Sequence, residues 1–462
     1  MRNRISTVGL WRTSVVVSFL AVGSFVWFYP VPLGADMPLH VAVAKAFLDL
    51  IGRPTISPYP YILNLKFSSY AAPELILALL VRLFGLASGA KVALTLYAVF
   101  FPMAIWYLVG AINPSARWTR LIGFPLTLNF LFHAGYWPTL VGVTFAVFTI
   151  ALSIRLTDSP RFLIAGAPMR MLTFLMHPAP AVALGLFDVV TVLMTVGRGT
   201  RWWRVWKWDW KRMVLLWAPT IICALIMYLG VRGGASRSFS VEWDSIKVQA
   251  FQLIRPLYIT DNLWEEAVPI LMAVVLLVVA GRKVVRERKY FGVLLAALAI
   301  MVAGAVIPSR QFFGGSSEIG FRITFVGIVL AASLIAIIEQ SASRWISLLV
   351  AVALVVNLSV SHLTWSRYRH PFQTGLQVLK DNFSGMRLGC QVATTETGPT
   401  VRIGGSLGVW AWCMGYVADA YNGVARTNDF GPVRYIGLDS TAINDGQGNL
   451  VYHPYQPGAL LP

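Results

Sequence analysis

The chain has 462 residues, 57% of them hydrophobic and 13% charged, with a mean hydropathy of +0.66; ordinary soluble domains carry about 25% charged residues. That composition excludes a soluble enzyme, a disordered chain and a coiled coil, and the long unbroken apolar runs exclude an outer-membrane barrel, whose strands alternate. The net charge of +18, from 38 Lys and Arg against 20 Asp and Glu, gathers in a few short loops as the cytoplasmic loops of membrane proteins do, rather than marking a nucleic-acid surface.

The expected fold class is an all-α polytopic membrane protein, because backbone polar groups inside a bilayer must be satisfied within their own segment. Twelve apolar runs approach the roughly 20 residues a span requires: 11–29, 73–84, 91–110, 119–136, 138–155, 162–176, 179–196, 213–231, 264–281, 290–307, 320–340 and 345–361. Pro125, Pro138, Pro178 and Pro219 are expected to kink or divide them. The first run follows Arg2, Arg4 and Arg12 without a small-residue cleavage site, so it reads as a retained anchor.

Charge assigns the sides. The N-terminus carries +3, residues 198–212 carry +5 and residues 282–289 carry +4, and all three are placed in the cytoplasm. The loops 30–72 and 232–263 carry only +1 each and fall outside, as does the tail after residue 361. This pattern requires an odd number of spans, about 11, and the run that does not cross is sought between 73 and 155. Residues 1–361 therefore form the transmembrane domain, with an outer loop at 31–72. Residues 362–462, rich in Gly, Asn, Asp and Thr, read as a small extracytoplasmic α+β or β-rich domain. Cys223 sits in an apolar run as a packing residue, and Cys390 and Cys413 can join only in an oxidising compartment.

Candidate chemistry begins just after the first run, in Gly34-Ala35-Asp36-Met37-Pro38-Leu39-His40. Pro38 suits a first helical turn, and an amphipathic helix over His40–Leu50 is expected to present Val43, Ala46, Phe47 and Leu50 on one face. Asp36 reads either as its cap or as a carboxylate placed to take a proton, and His40 lies one turn on. His133, in Phe132-His133-Ala134-Gly135-Tyr136-Trp137-Pro138, reads as part of an aromatic interfacial anchor or as the lining of a substrate cleft. His177-Pro178 breaks the run 162–196 near the outer face, with His177 either packed or in the same site. In the stretch 201–212, aromatic and basic residues alternate, which suits headgroup depth and carries no catalysis. Arg310 and Arg322 belong to the loop 308–322. Arg322 either pairs with Glu318 four residues earlier, or Arg310 or Arg322 offers its fork to a phosphate at the outer rim.

One N-terminal span, an Asp at the start of a large outer loop and an interfacial helix resemble the layout of the GT-C glycosyltransferases. Gly34 to His40 resembles the Asp-containing first-loop motif of bacterial members, and Ala418-Asp419-Ala420-Tyr421-Asn422-Gly423 resembles an Asp-x-x-Gly segment of their outer domains. The resemblance implies transfer of a sugar from a polyprenyl-phosphate donor to a glycan, lipid or protein acceptor on the extracytoplasmic face of a bacterial inner membrane. It makes Asp36 the base of an inverting displacement, and His40, His133, His177, Arg310 and Arg322 substrate-binding residues. The paired acidic motifs of oligosaccharyltransferase catalytic subunits are not evident, so no cofactor is expected and a divalent cation, though compatible, is not indicated. The competing classes are a lipid-linked glycan polymerase or ligase and a transporter or flippase; transporters commonly carry internal repeats, and none is evident here.

Overall fold

The computed structural model describes residues 2–29, 36–52, 61–63, 71–156, 161–196, 210–231, 241–243, 245–257, 259, 263–288, 290–308, 311–312, 315–316, 319–383, 389–390, 424–425 and 433–435. The described residues are mostly helical. In chain order the helices are α1 (Arg2–Ser24), α2 (Met37–Gly52), α3 (Ala71–Phe84), α4 (Leu86–Ile112), α5 (Gly123–Thr127), α6 (Phe130–Ala134), α7 (Trp137–Leu156), α8 (Arg161–Met176), α9 (Pro178–Val196) and α10 (Trp210–Val231). They continue with α11 (Ile246–Phe251), α12 (Leu263–Glu287), α13 (Phe291–Val306), α14 (Ile319–Ser333) and α15 (Glu339–Phe383), the last kinked at Ala342.

Five segments among the described residues are long and apolar enough to cross a membrane: Gly9–Phe28, Leu86–Ile112, Trp137–Leu156, Ala267–Glu287 and Ile319–Ser366. Shorter apolar helices lie at Phe162–Met176, Pro178–Met194, Met213–Ile226 and Phe291–Val306. The outward faces are apolar as well; on α12, Val268, Leu271, Val275 and Val278 are exposed, which suits lipid rather than water. The chain is thus a multi-pass helical membrane protein. Proline acts partly as expected: Pro138 and Pro178 lie at helix starts, and Pro219 lies inside α10. The run 119–136 departs from one continuous span. It is broken into a 3-10 turn at Thr119–Ile122, α5 and α6, with Gly123 seated against the Cα of Pro102.

Two compact units divide the chain. The first comprises residues 1–25, 96–131 and 139–360. At its centre α13 packs on α14 and on α9, and α8 lies beside α9 and α10. The α13–α14 approach depends on glycine. A Cβ on Gly304 would stand 2.1 Å from Thr324 Oγ1, and one on Gly320 would stand 2.4 Å from the Gly304 carbonyl oxygen. Small residues let helix backbones close up where lipid offers no hydrophobic drive.

The ends of α13 and α14 define two opposite faces of this unit. At one face, strands at Val241–Glu242, Gln311–Phe312 and Gly315–Ser316 form an antiparallel sheet, and Trp243 Nε1 donates to the Val306 carbonyl. This joins the loops 232–263 and 308–322. At the other face, the Tyr290 hydroxyl donates to the Ile112 carbonyl, Lys283 Nζ to Ile337 and Asn113 Nδ2 to Ala336. There the Glu339 carboxylate receives the backbone N–H groups of Arg117, Trp118 and Thr119 and the Thr119 hydroxyl.

The second unit comprises residues 26–95, 132–138 and 361–462. Here α2 packs on α3, and a strand at Tyr61–Leu63 pairs antiparallel with one at Val433–Tyr435. The described parts of the outer loop and of the tail fall within this unit. Gly389–Cys390 pairs in parallel with Val424–Ala425. Among the described side chains of α2, Met37, Val41, Val43 and Ala44 are buried; of the expected face, Val43 is buried, Phe47 is half-buried, and the side chains of Ala46 and Leu50 lie outside those described.

Candidate active site

In the second unit, Asp36 immediately precedes α2 and is half-buried. Its backbone N–H donates to the Ala134 carbonyl at 2.8 Å, and its own carbonyl accepts from the His40 N–H at 3.0 Å. The residue therefore occupies the cap position that Met37-Pro38 announces. Gly135 has φ +76°, and a Cβ there would fall 2.6 Å from the Met37 nitrogen. Only glycine lets the 133–136 turn press on the start of α2 and hold the Asp36 backbone.

One turn beyond Asp36, His40 Nδ1 meets Glu74 Oε1. Glu74 is 1% exposed, and its Oε2 has no hydrogen-bond partner among the described residues. The start of α3 that carries Glu74 is fixed by Trp137 Nε1, which donates to the Pro73 carbonyl at 2.8 Å. Glu74 is a partner of His40 that the sequence reading passes over. Its signal is an acid at the head of the apolar run 73–84, where burial is costly without a partner.

His133 is fully buried in the same unit. Its Nδ1 accepts from Trp365 Nε1 at 3.0 Å, and its Nε2 lies 2.9 Å from Ser361 Oγ. An indole only donates, so Nδ1 is unprotonated and the ring is neutral, with its proton on Nε2 toward Ser361. Both nitrogens are thereby engaged in holding the 130–136 segment to α15.

In the first unit, the structure brings His177 and Arg322 together across 145 residues of sequence. His177 links α8 to α9, and Arg322 lies in the first turn of α14; Arg322 Nη1 stands 2.9 Å from His177 Nε2. On its other side, His177 Nδ1 accepts the Ala179 N–H at 3.0 Å. The contact sets a guanidinium beside the imidazole, and a fork of N–H donors suits the oxygens of an anion. Gly142 lets α7 approach this point closely, since a Cβ there would lie 3.0 Å from the His177 Cβ.

A second guanidinium borders the same place. Arg255 Cζ lies 4.7 Å from the Phe130 ring and 4.6 Å from the Phe321 ring, and Arg322 Cζ is 5.8 Å from the Phe321 ring. The two rings meet edge-on at 5.3 Å. Aromatic faces hold a cation without consuming its N–H donors. Sequence reasoning counts Arg255 as loop charge; its isolated place before Pro256 gives no further signal. Arg310 and Glu318 lie outside the described residues, so the Arg322–Glu318 pairing is not addressed. Among the described residues no three His, Cys, Asp or Glu side chains converge as metal ligands.

A different ion pair lies deep in the first unit. Arg170 Nε and Nη2 donate to Asp188 Oδ2 and Oδ1 at 2.8 and 2.9 Å. Ser153, the Gly166 carbonyl and Trp217 Nε1 complete the network, which ties α7, α8, α9 and α10 together. Both side chains are wholly buried and mutually satisfied, so the pair fastens helices rather than serving chemistry. Asp188→Ala leaves a buried guanidinium uncompensated and should cost about 3–5 kcal/mol. Paired replacement by Met and Leu should recover most of it. Thermal unfolding in detergent reads both, and an unchanged midpoint in Asp188→Ala contradicts the assignment.

Together these features define a multi-pass helical membrane protein, and its fold is shared with a solved structure. Among solved structures, ArnT from Cupriavidus metallidurans superposes with a TM-score of 0.56, both in the apo state and bound to undecaprenyl phosphate, at 12% sequence identity over 90% of this chain and 85% of that one. The Archaeoglobus fulgidus oligosaccharyltransferase in its apo form aligns with a TM-score of 0.49 and 10% identity, over 90% of this chain and 64% of that one. No protein-family model matches the sequence, and no curated protein matches it.

Proposed function

We propose that the chain is a membrane glycosyltransferase that moves a sugar from a polyprenyl-phosphate donor to a glycan, lipid or protein acceptor on the extracytoplasmic face of a bacterial inner membrane. The observation that carries the reading is the His177–Arg322 contact, which sets a guanidinium fork beside an imidazole at an end of α14. A phosphate suits that fork. The fold shared with ArnT, a protein with a structure bound to undecaprenyl phosphate, supports a lipid-linked phosphate as that ligand.

In the proposed reaction the acceptor hydroxyl attacks the anomeric carbon, and the bond from that carbon to the phosphate oxygen breaks. The polyprenyl phosphate departs with the electron pair, and inversion follows from the single displacement. Asp36 takes the acceptor's proton. Arg322 and His177 neutralise the charge growing on the leaving phosphate, where preorganised donors act most strongly. Arg255, and Arg310 by the sequence reading, add positive potential. His40, held against Glu74, sits one turn from the base and can contact the sugar or acceptor.

By the charge pattern, the face bearing the 232–263 and 308–322 loops is extracytoplasmic. The test is the envelope glycan profile after deletion of the gene. A glycan species should disappear on deletion and return with the wild-type gene. An unchanged profile, with purified chain inert toward a panel of polyprenyl-phosphate sugars, would reject transfer.

A further inference from the structure

The face of the first unit opposite the 308–322 loop carries a second convergence of guanidinium groups, which the transfer reaction does not use. Arg120 lies in the turn after α4, and Arg155 lies at the end of α7. Both reach over Gly110: a Cβ placed there would stand 2.8 Å from Arg155 Nη2 and 3.4 Å from Arg120 Nη2. The two forks are close enough for one phosphate group to bridge them.

Aromatic rings support both. Arg155 Cζ lies 3.9 Å from the Tyr107 ring, and Arg120 Cζ lies 5.3 Å from the Trp106 ring. Trp106 is in turn packed by Trp11 at 5.4 Å, and Trp11 Nε1 donates to the Arg117 carbonyl. Ring stacking fixes the guanidinium planes and leaves N–H donors for a ligand. Arg120 Nη2 gives one bond to the Pro114 carbonyl, while its Nε is buried with no hydrogen-bond partner among the described residues.

The local charge is one-sided. Burial first, then Arg155, and to a lesser extent Arg117, push the pKa of Arg120 below its ordinary value, against an opposing pull from Glu339. Glu339 does not pair with either guanidinium, because its carboxylate receives three backbone N–H groups and the Thr119 hydroxyl. Two like charges held together over rings, with no carboxylate paired to them among the described residues, match a phosphate.

We propose that Arg120 and Arg155, seated on Trp106 and Tyr107 and separated only by the bare Cα of Gly110, bind the phosphate of an anionic lipid at this face of the membrane. Arg155 is exposed at the end of an apolar helix, the depth at which headgroups lie. The site is distinct from His177 and Arg322, which lie at the opposite face of the unit.

The test uses the full-length chain in neutral detergent, with short-chain phosphatidic acid, phosphatidylcholine and inorganic phosphate as separate probes read by native mass spectrometry. Wild type should bind phosphatidic acid saturably and phosphatidylcholine far more weakly. The double variant Arg120→Gln/Arg155→Gln should lose roughly tenfold or more in affinity, the scale of a lost bidentate contact. Gly110→Ala is the sharper variant. It keeps every charge and meets only the tips of flexible side chains, so it folds, yet it pushes the forks apart and should weaken binding too. Tight binding of inorganic phosphate that both variants abolish would support the site and assign it a free anion. Wild-type affinity for phosphatidic acid in both variants, or equal binding of phosphatidic acid and phosphatidylcholine, would overturn the proposal.

Discussion

Asp36→Asn is expected to lower single-turnover transfer from a polyprenyl-phosphate sugar by roughly 10²-fold or more, the range of a lost general base. The substitution retains size and much of the hydrogen bonding but removes basicity. The fold should not change, because Asp36 is held through its backbone: its N–H reaches Ala134 and its carbonyl receives the His40 N–H, and neither needs the carboxylate. Asp36→Glu should recover part of the rate, since the base returns displaced by about one bond length. The decisive measurement sets transfer rate beside thermal stability. If Asp36→Asn turns over like wild type at equal stability, the residue is a helix cap and the proton acceptor lies elsewhere; Glu74, with one carboxylate oxygen unpartnered among the described residues, becomes the next candidate.

The second large effect is expected at Arg322. Arg322→Lys keeps the charge but loses the planar fork and the stacking over Phe321. Each charge-assisted hydrogen bond lost is worth about 1.5–3 kcal/mol. Arg322→Ala should therefore reduce kcat/KM by roughly tenfold to a hundredfold per bond, and Arg322→Lys should fall between alanine and wild type. A phosphate role has a further signature: added polyprenyl phosphate should inhibit wild type as a product analogue and inhibit the alanine variant more weakly. Loss of stability without loss of product inhibition would make Arg322 a structural residue.

Several features were legible before any coordinates. Hydropathy located the helices closely; the runs 91–110, 138–155 and 264–281 correspond to α4, α7 and α12. Proline at 138 and 178 announced helix starts, because a residue without an N–H is least costly in a first turn. Asp36 stood out because an acid, a proline and an amphipathic pattern coincide within a few residues. The run 119–136 lies in the stretch where a run that does not cross is expected, but apolar composition alone does not reveal that the backbone breaks twice within it. In an aggregate of helices, a short irregular segment can be buried by neighbours instead of crossing lipid, and periodicity is blind to that difference.

By itself, the sequence determined the solvent. So apolar a chain must sit in a bilayer, a bilayer demands helices, and clustered cations bias which loops stay inside. It also determined local starts and stops through Pro and Gly. What only the tertiary structure decided is which polar groups meet. His177 faces Arg322, His40 faces Glu74, His133 is taken by Trp365 and Ser361, and Arg170 finds Asp188 across a helix pair. These partnerships depend on how helices rotate and approach, and glycines such as Gly135, Gly304 and Gly320 set those approaches to within a fraction of an ångström. Hydropathy averages over a helix's circumference and carries no record of its rotation. A buried polar group, by contrast, must find a specific partner or lose several kcal/mol of hydration, on the order of 2–7 for a neutral group. That penalty is paid or avoided only in three dimensions, which is why the spans could be read from the chain and the pairs at its two faces could not.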